Sequence, residues 1–162
     1  MGFFQPIQRR HVQYRRAEVT KLIPASGEIG DFVRAVGSSR GRNIHLRPYA
    51  LPPDAPSGLW IPFVEADWIV YDVVAQPRQR DTIICHELAH MLLGHQPASD
   101  GLVAADLAPT ITPEIAARFL ARHGYAAKFE AEAENLATTL AAELARRARM
   151  GRDRDHISAR LR

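Results

Sequence analysis

Apolar positions fall into two rhythms along this chain. Ile29, Phe32, Val33 and Val36 recur at helical spacing and predict a short helix from Glu28 to Val36, stopped at Gly37. Then Asn43–Tyr49, Gly58–Val64 and Asp67–Val74, rich in β-branched and aromatic residues, are broken by the Pro-rich turn at 51–56 and by Glu65-Ala66. They predict three strands of a small antiparallel sheet. Pro62 has no ladder donor, which directs the second strand to an edge or a bulge. A mostly buried helix of about three turns is expected after a cap at Asp81 or Thr82, ending at Gly94. Residues 96–108 read as a loop, and Thr112-Pro113 opens a helix that runs to about His123. The longest helix is expected from about Ala126 to Met150, with Phe129, Ala133, Leu136, Leu140 and Leu144 facing the core and Gly151 as its stop. The pattern is α+β, a three-stranded sheet packed on helices. Residues 1–25 are polar and poorly patterned, 26–150 carry the domain, and 151–162 read as a basic tail.

With 162 residues, 46% hydrophobic and 24% charged, the chain suits one compact domain and leaves no room for a second large one. No run approaches the ~20 apolar residues of a membrane span, and Met1-Gly2-Phe3-Phe4-Gln5-Pro6 lacks a signal-peptide core. A cytoplasmic location and no membrane partner are expected. Cys85 is the only cysteine, which excludes an internal disulfide and a cysteine-based zinc cluster. The net charge of +3 comes largely from arginine clusters at Arg9, Arg10, Arg15 and Arg16 and from Arg146 to Arg162. Without interleaved aromatic residues these read as solvated helix ends, and direct nucleic-acid binding is not expected.

Within the buried helix stands His86-Glu87-Leu88-Ala89-His90, an H-E-x-x-H pattern. Histidines four apart lie one turn above one another and can share one Zn²⁺, while Glu87, just off that line, can act on water as a general base. A catalytic zinc needs a third protein ligand. Glu130 and Glu134, one turn apart beside the apolar stripe of the long helix, are like charges that a nearby cation would reconcile. Glu130 is assigned as third ligand and Glu134 as an outer acceptor orienting a histidine, with Glu134 as ligand the variant; Glu132 projects elsewhere. The oxyanion donor or substrate contact is left open among His95, Arg122, His123 and Tyr125. A helix continuing through Gly94 would turn His95 away from the line of His86 and His90.

The segments Gly58-Leu59-Trp60-Ile61, Asp67 to Asp72, Arg80 through His86-Glu87-Leu88-Ala89-His90 to Leu93-Gly94-His95, and Glu130 to Ala137 together resemble the ImmA/IrrE family of metallo-endopeptidases, over roughly residues 28–145. The resemblance implies a gluzincin-like fold with zinc held by His86, His90 and a downstream Glu, and Glu87 as base. It also implies a regulatory protease whose partner is a separate helix-turn-helix repressor. Two other readings compete: a non-catalytic, zinc-stabilised module that sequesters a repressor or toxin partner, and a nucleic-acid-associated regulator using the arginine-rich ends.

Overall fold

Of the three strands, the one without a proline sits in the middle. β1 (Asn43–Tyr49) contains Pro48, β2 (Gly58–Pro62) ends in Pro62, and β3 (Ala66–Asp72) has none. A proline removes a ladder donor and is confined to sheet edges. The strand order is accordingly β1-β3-β2. β2 and β3 form an antiparallel hairpin, closed by the Phe63 N–H donating to the Ala66 carbonyl at 2.9 Å, whereas β1 runs parallel to β3. The sheet is therefore mixed, not antiparallel as expected. β1 and β2 are consecutive in the chain but not neighbours in the sheet, because β3 lies between them.

This computed structural model describes residues 16–51, 53, 55–63, 65–95 and 125–160; the expected loop at 96–108 and the helix opening at Thr112-Pro113 lie outside them. Four helices are described: α1 (Arg16–Leu22), α2 (Ile29–Arg40), α3 (Pro77–Leu93) and α4 (Ala127–Arg160). Within the segment read as poorly patterned, residues 16–22 form α1, and Val19, Leu22 and Ile23 have helical spacing and pack on the core. α2 ends at Arg40 with Gly41 (φ 64°) as its cap, not at Gly37, which stays within the helix and leaves room for the Arg42 carbonyl of the returning chain that a Cβ there would strike. α3 begins at Pro77, earlier than the expected cap, with a proline at the start of the helix, where its missing N–H costs nothing. α4 passes through Gly151 to Arg160, so residues 151–160 continue the helix instead of forming a separate tail. A glycine inside a helix costs about 1 kcal/mol. That is too little to stop a helix whose neighbours favour it.

α3 lies between the sheet and α4. Its Ile84, Leu88, Met91 and Leu92 are fully buried, packing with Trp60 and Ile69 of the sheet and with Leu136 and Leu140 of α4. The opposite face of the sheet forms a smaller cluster of Leu59, Ile61 and Val70 beneath Trp68 and Phe63. At the end of α3, Arg40 donates to the Met91 carbonyl (3.1 Å), and Arg40 and Arg42 both reach the buried Asp67 carboxylate at 3.3 Å. These bonds join the ends of α2, β3 and α3. No described helix is long and apolar enough to cross a membrane.

Gly27 marks the tightest approach of the N-terminal part to α4. Its φ is +70°, and a Cβ would collide with the α4 backbone at Leu144 and Ala148. Gly27→Ala is expected to lower unfolding free energy by about 2 kcal/mol or more, read from the urea midpoint; an unchanged midpoint would contradict this packing.

Candidate metal centre

Arg78, Gln79 and Thr82 in the first turns of α3 are exposed, but from Ile83 onward the helix is largely buried, and Glu87 and His90 must find partners in neighbouring elements. His86 and His90 lie one turn apart and face the first turns of α4. Their Nε2 atoms are 3.0 Å apart, and Glu130 Oε2 lies 3.2 Å from the first and 3.7 Å from the second. The mean side of this triangle is 3.3 Å. Donors placed about 2.0–2.1 Å from one tetrahedral ion stand about 3.3–3.4 Å apart. His86, His90 and Glu130 could therefore hold a metal ion. The donor set also asks for one, because two neutral imidazole lone pairs and a carboxylate turned on one point repel unless a proton or cation sits among them.

Glu134 accepts from His86 at the other ring nitrogen, Nδ1, 3.3 Å away. The two glutamates thus divide between the inner and outer faces of one imidazole. His95 departs from the expected arrangement. It is 5% exposed, its Nδ1 lies 3.0 Å from Nδ1 of His90, and its Nε2 lies 3.2 Å from Glu132 Oε2. The cause is local: Gly94 adopts φ 71°, and the Gly94 and His95 N–H groups donate back to the Met91 and His90 carbonyls. This left-handed cap ends the helix and folds the next residue over its last turn. His95 is consequently placed against His90 and is not among the residues lining the cleft, and Glu132 acquires a partner that helical spacing alone did not suggest.

The triangle opens onto a cleft of about 260 Å³ bordered by Gly58 and Leu59 of β2, Thr82 and Ile83 of α3, Glu87, Tyr125, Glu130 and Glu134. Tyr125 stacks on His90 with ring centroids 3.6 Å apart and planes at 12°, and its buried hydroxyl has no hydrogen-bond partner among the described residues. Burial, then the charges of Glu87 and Glu130, hold that hydroxyl well above the ordinary phenol range. Of the other oxyanion candidates, Arg122 and His123 lie outside the described residues.

Glu87 is 5% exposed and faces β2, where its Oε2 accepts the Trp60 N–H at 2.9 Å. Gly58 makes that approach feasible, since a Cβ there would overlap Ile83 and stand 3.1 Å from Glu87 Oε1. Burial pushes the Glu87 carboxyl up to about 8, opposed by the Trp60 N–H and reinforced by Glu130. Burial, with His86 and His95 adding to it, holds His90 down at about 3. A bound cation would pull Glu87 back toward ionisation. Cys85, buried on the same helix and pushed up to about 12 by burial and by Asp81, is an inert thiol.

No protein-family model matches the chain, and neither does any curated protein or solved structure. What the site can do follows from its own residues.

For the metal-free protein the titrations carry opposite signs. The unfolded chain releases the Glu87 proton near 4.5 while the folded chain keeps it to about 8, so stability falls as pH rises across that window. His90 is protonated below 6.5 when unfolded and only near 3 when folded, so its contribution rises with pH over that range. The two oppose one another between 4.5 and 6.5, and Glu87 acts alone from 6.5 to 8. Chelator-treated protein should lose stability over that last interval at about 1.4 kcal/mol per pH unit. Glu87→Gln should flatten the profile; a flat wild-type profile would contradict the burial of Glu87.

Proposed function

We propose that the protein is a cytoplasmic zinc-dependent endopeptidase of gluzincin type, cutting an extended segment of a partner protein, with a helix-turn-helix repressor as the partner class that the ImmA/IrrE resemblance suggests. One observation carries this reading: the His86–His90–Glu130 triangle opens onto the same cleft as the buried Glu87 carboxyl and the Tyr125 hydroxyl. A set of two imidazoles and one carboxylate favours zinc and leaves one position free, as catalytic rather than structural sites do. When bound there, zinc supplies Lewis-acid polarisation of a carbonyl and acidification of water toward a pKa of about 7.

The chain's own residues do the rest. Glu87 takes the proton of the attacking water and delivers it to the leaving amine, and the Trp60 N–H fixes the carboxylate that does so. Tyr125, locked by its stack on His90, donates to the oxyanion that develops on the scissile carbonyl. Glu134 accepts from His86 Nδ1 and keeps its Nε2 turned inward. β2 is an edge strand with Gly58 and Leu59 on the cleft, which suits an extended peptide joining by strand addition. Pro62, with no N–H to offer, limits that edge at its far end.

Elemental mass spectrometry of the purified protein should find one zinc per chain, lost in His86→Ala and Glu130→Ala and only weakened in Glu134→Ala. A well-folded wild type that takes up no zinc when it is supplied would overturn the reading. Glu87→Gln should keep zinc and abolish cleavage of a peptide library; cleavage at the wild-type rate would remove Glu87 as base. Tyr125→Phe should leave KM within a fewfold and lower kcat about 10²-fold, the usual cost of one oxyanion donor; an unchanged kcat would take Tyr125 out of that role.

A further inference from the structure

Glu132 and His95 have no place in the reaction just described, yet they are joined to it by an unbroken path. From an exposed position on α4, the Glu132 carboxylate meets His95 Nε2 at 3.2 Å, and His95 Nδ1 meets His90 Nδ1 at 3.0 Å. From there the imidazole of His90 leads to its Nε2, one corner of the ligand triangle. His95 is held in place by the ring of Phe129, 4.5 Å away at 34°, and by the cap at Gly94.

We infer that Glu132 and His95 are positioning residues that fix the tautomer of His90, turning its Nε2 lone pair into the triangle. With both rings neutral, donor and acceptor roles along the path leave one arrangement. A carboxylate accepts, so His95 Nε2 must carry the hydrogen that it donates to Glu132. A neutral imidazole then presents a bare Nδ1, which accepts, so His90 Nδ1 must carry the donated hydrogen. That leaves Nε2 of His90 without a hydrogen, the form a ligand nitrogen requires. Read in the other direction, a donor in place of Glu132 would reverse every bond and block the ligand atom with a hydrogen. His86 reaches the same result by a shorter route, from Glu134 directly. Burial explains the difference: His86 lies near enough to solvent for an exposed glutamate to touch it, whereas His90 is fully buried and needs an intermediary.

The inference rests on the metal-site reading above, but its primary readout does not. Ring ¹⁵N shifts of zinc-free protein, observed by long-range ¹H–¹⁵N correlation, report the His90 tautomer without any metal. Wild type should show His90 in the Nδ1–H form. That preference should be lost in His95→Phe, which removes the acceptor but keeps a ring, and weakened in Glu132→Ala. It should be retained in His95→Gln, whose side-chain carbonyl can accept from His90. Zinc affinity by chelator competition should fall about 10–100-fold in His95→Phe and less in Glu132→Ala, with His95→Gln close to wild type. Should His95→Phe fail to fold, Glu132→Ala carries the test, because Glu132 is 57% exposed and its removal leaves the core intact. An Nε2–H form in wild type, or the same tautomer in every variant, would overturn the relay. If wild type binds no zinc, the peptidase reading falls, and the nitrogen shifts still decide the relay.

Discussion

The constraint on which the site depends is the burial of most of α3 from Ile83 onward. Between the sheet and α4 the Glu87 carboxyl and the His90 ring are cut off from solvent, so these polar positions are specified by what packs against them. His86 and His90 are answered by α4, Glu87 by the backbone of β2, and the last carbonyls of the helix by Arg40 and by the Gly94 cap. Each answer comes from a different element. The chemistry of the site is therefore a result of tertiary packing, although His86, Glu87 and His90 lie within one short stretch of the chain.

That division explains what could be read from the chain. H-E-x-x-H and the pair Glu130 and Glu134 were legible because helical spacing is a local property: residues four apart share a face whatever surrounds them. The strands were also located closely, β1 to the residue. Their pairing was not, because it is settled by the competition between edges and centre; the signal that decides it, a proline in both outer strands and none in β3, was nevertheless present. α1 was missed because its apolar triplet is short. Gly94 was recognised as a stop, but the direction taken after a stop depends on the left-handed torsion there, and that direction places His95. Glu132 had no visible meaning until His95 was beside it, and a backbone donor such as the Trp60 N–H carries no sequence signal at all.

Asp67 illustrates the same point away from the site. In the chain it is a polar residue opening a strand; in the fold it is buried between two guanidinium groups at the junction of α2, β3 and α3. Buried ion pairs of this kind add little net stability, because desolvation offsets the attraction, but losing one partner strands the other. Their value lies in register. They hold the C-terminal end of α3, and thus the Gly94 cap, in a fixed relation to the sheet.

Glu130 stands 44 positions along the chain from His86, on a different helix. An ion held by both would act as a cross-link in the sense that a disulfide does, closing a loop of that length in any state that retains it. The chain-entropy estimate for such a closure is about 4 kcal/mol, comparable with a large share of a small domain's whole stability. Its two anchor points lie on separate helices, so the ion would tie the first turns of α4 directly to the middle of α3. Such a cross-link would make the packing of α3 on α4, and with it the shape of the cleft between them and β2, depend on whether the centre is filled.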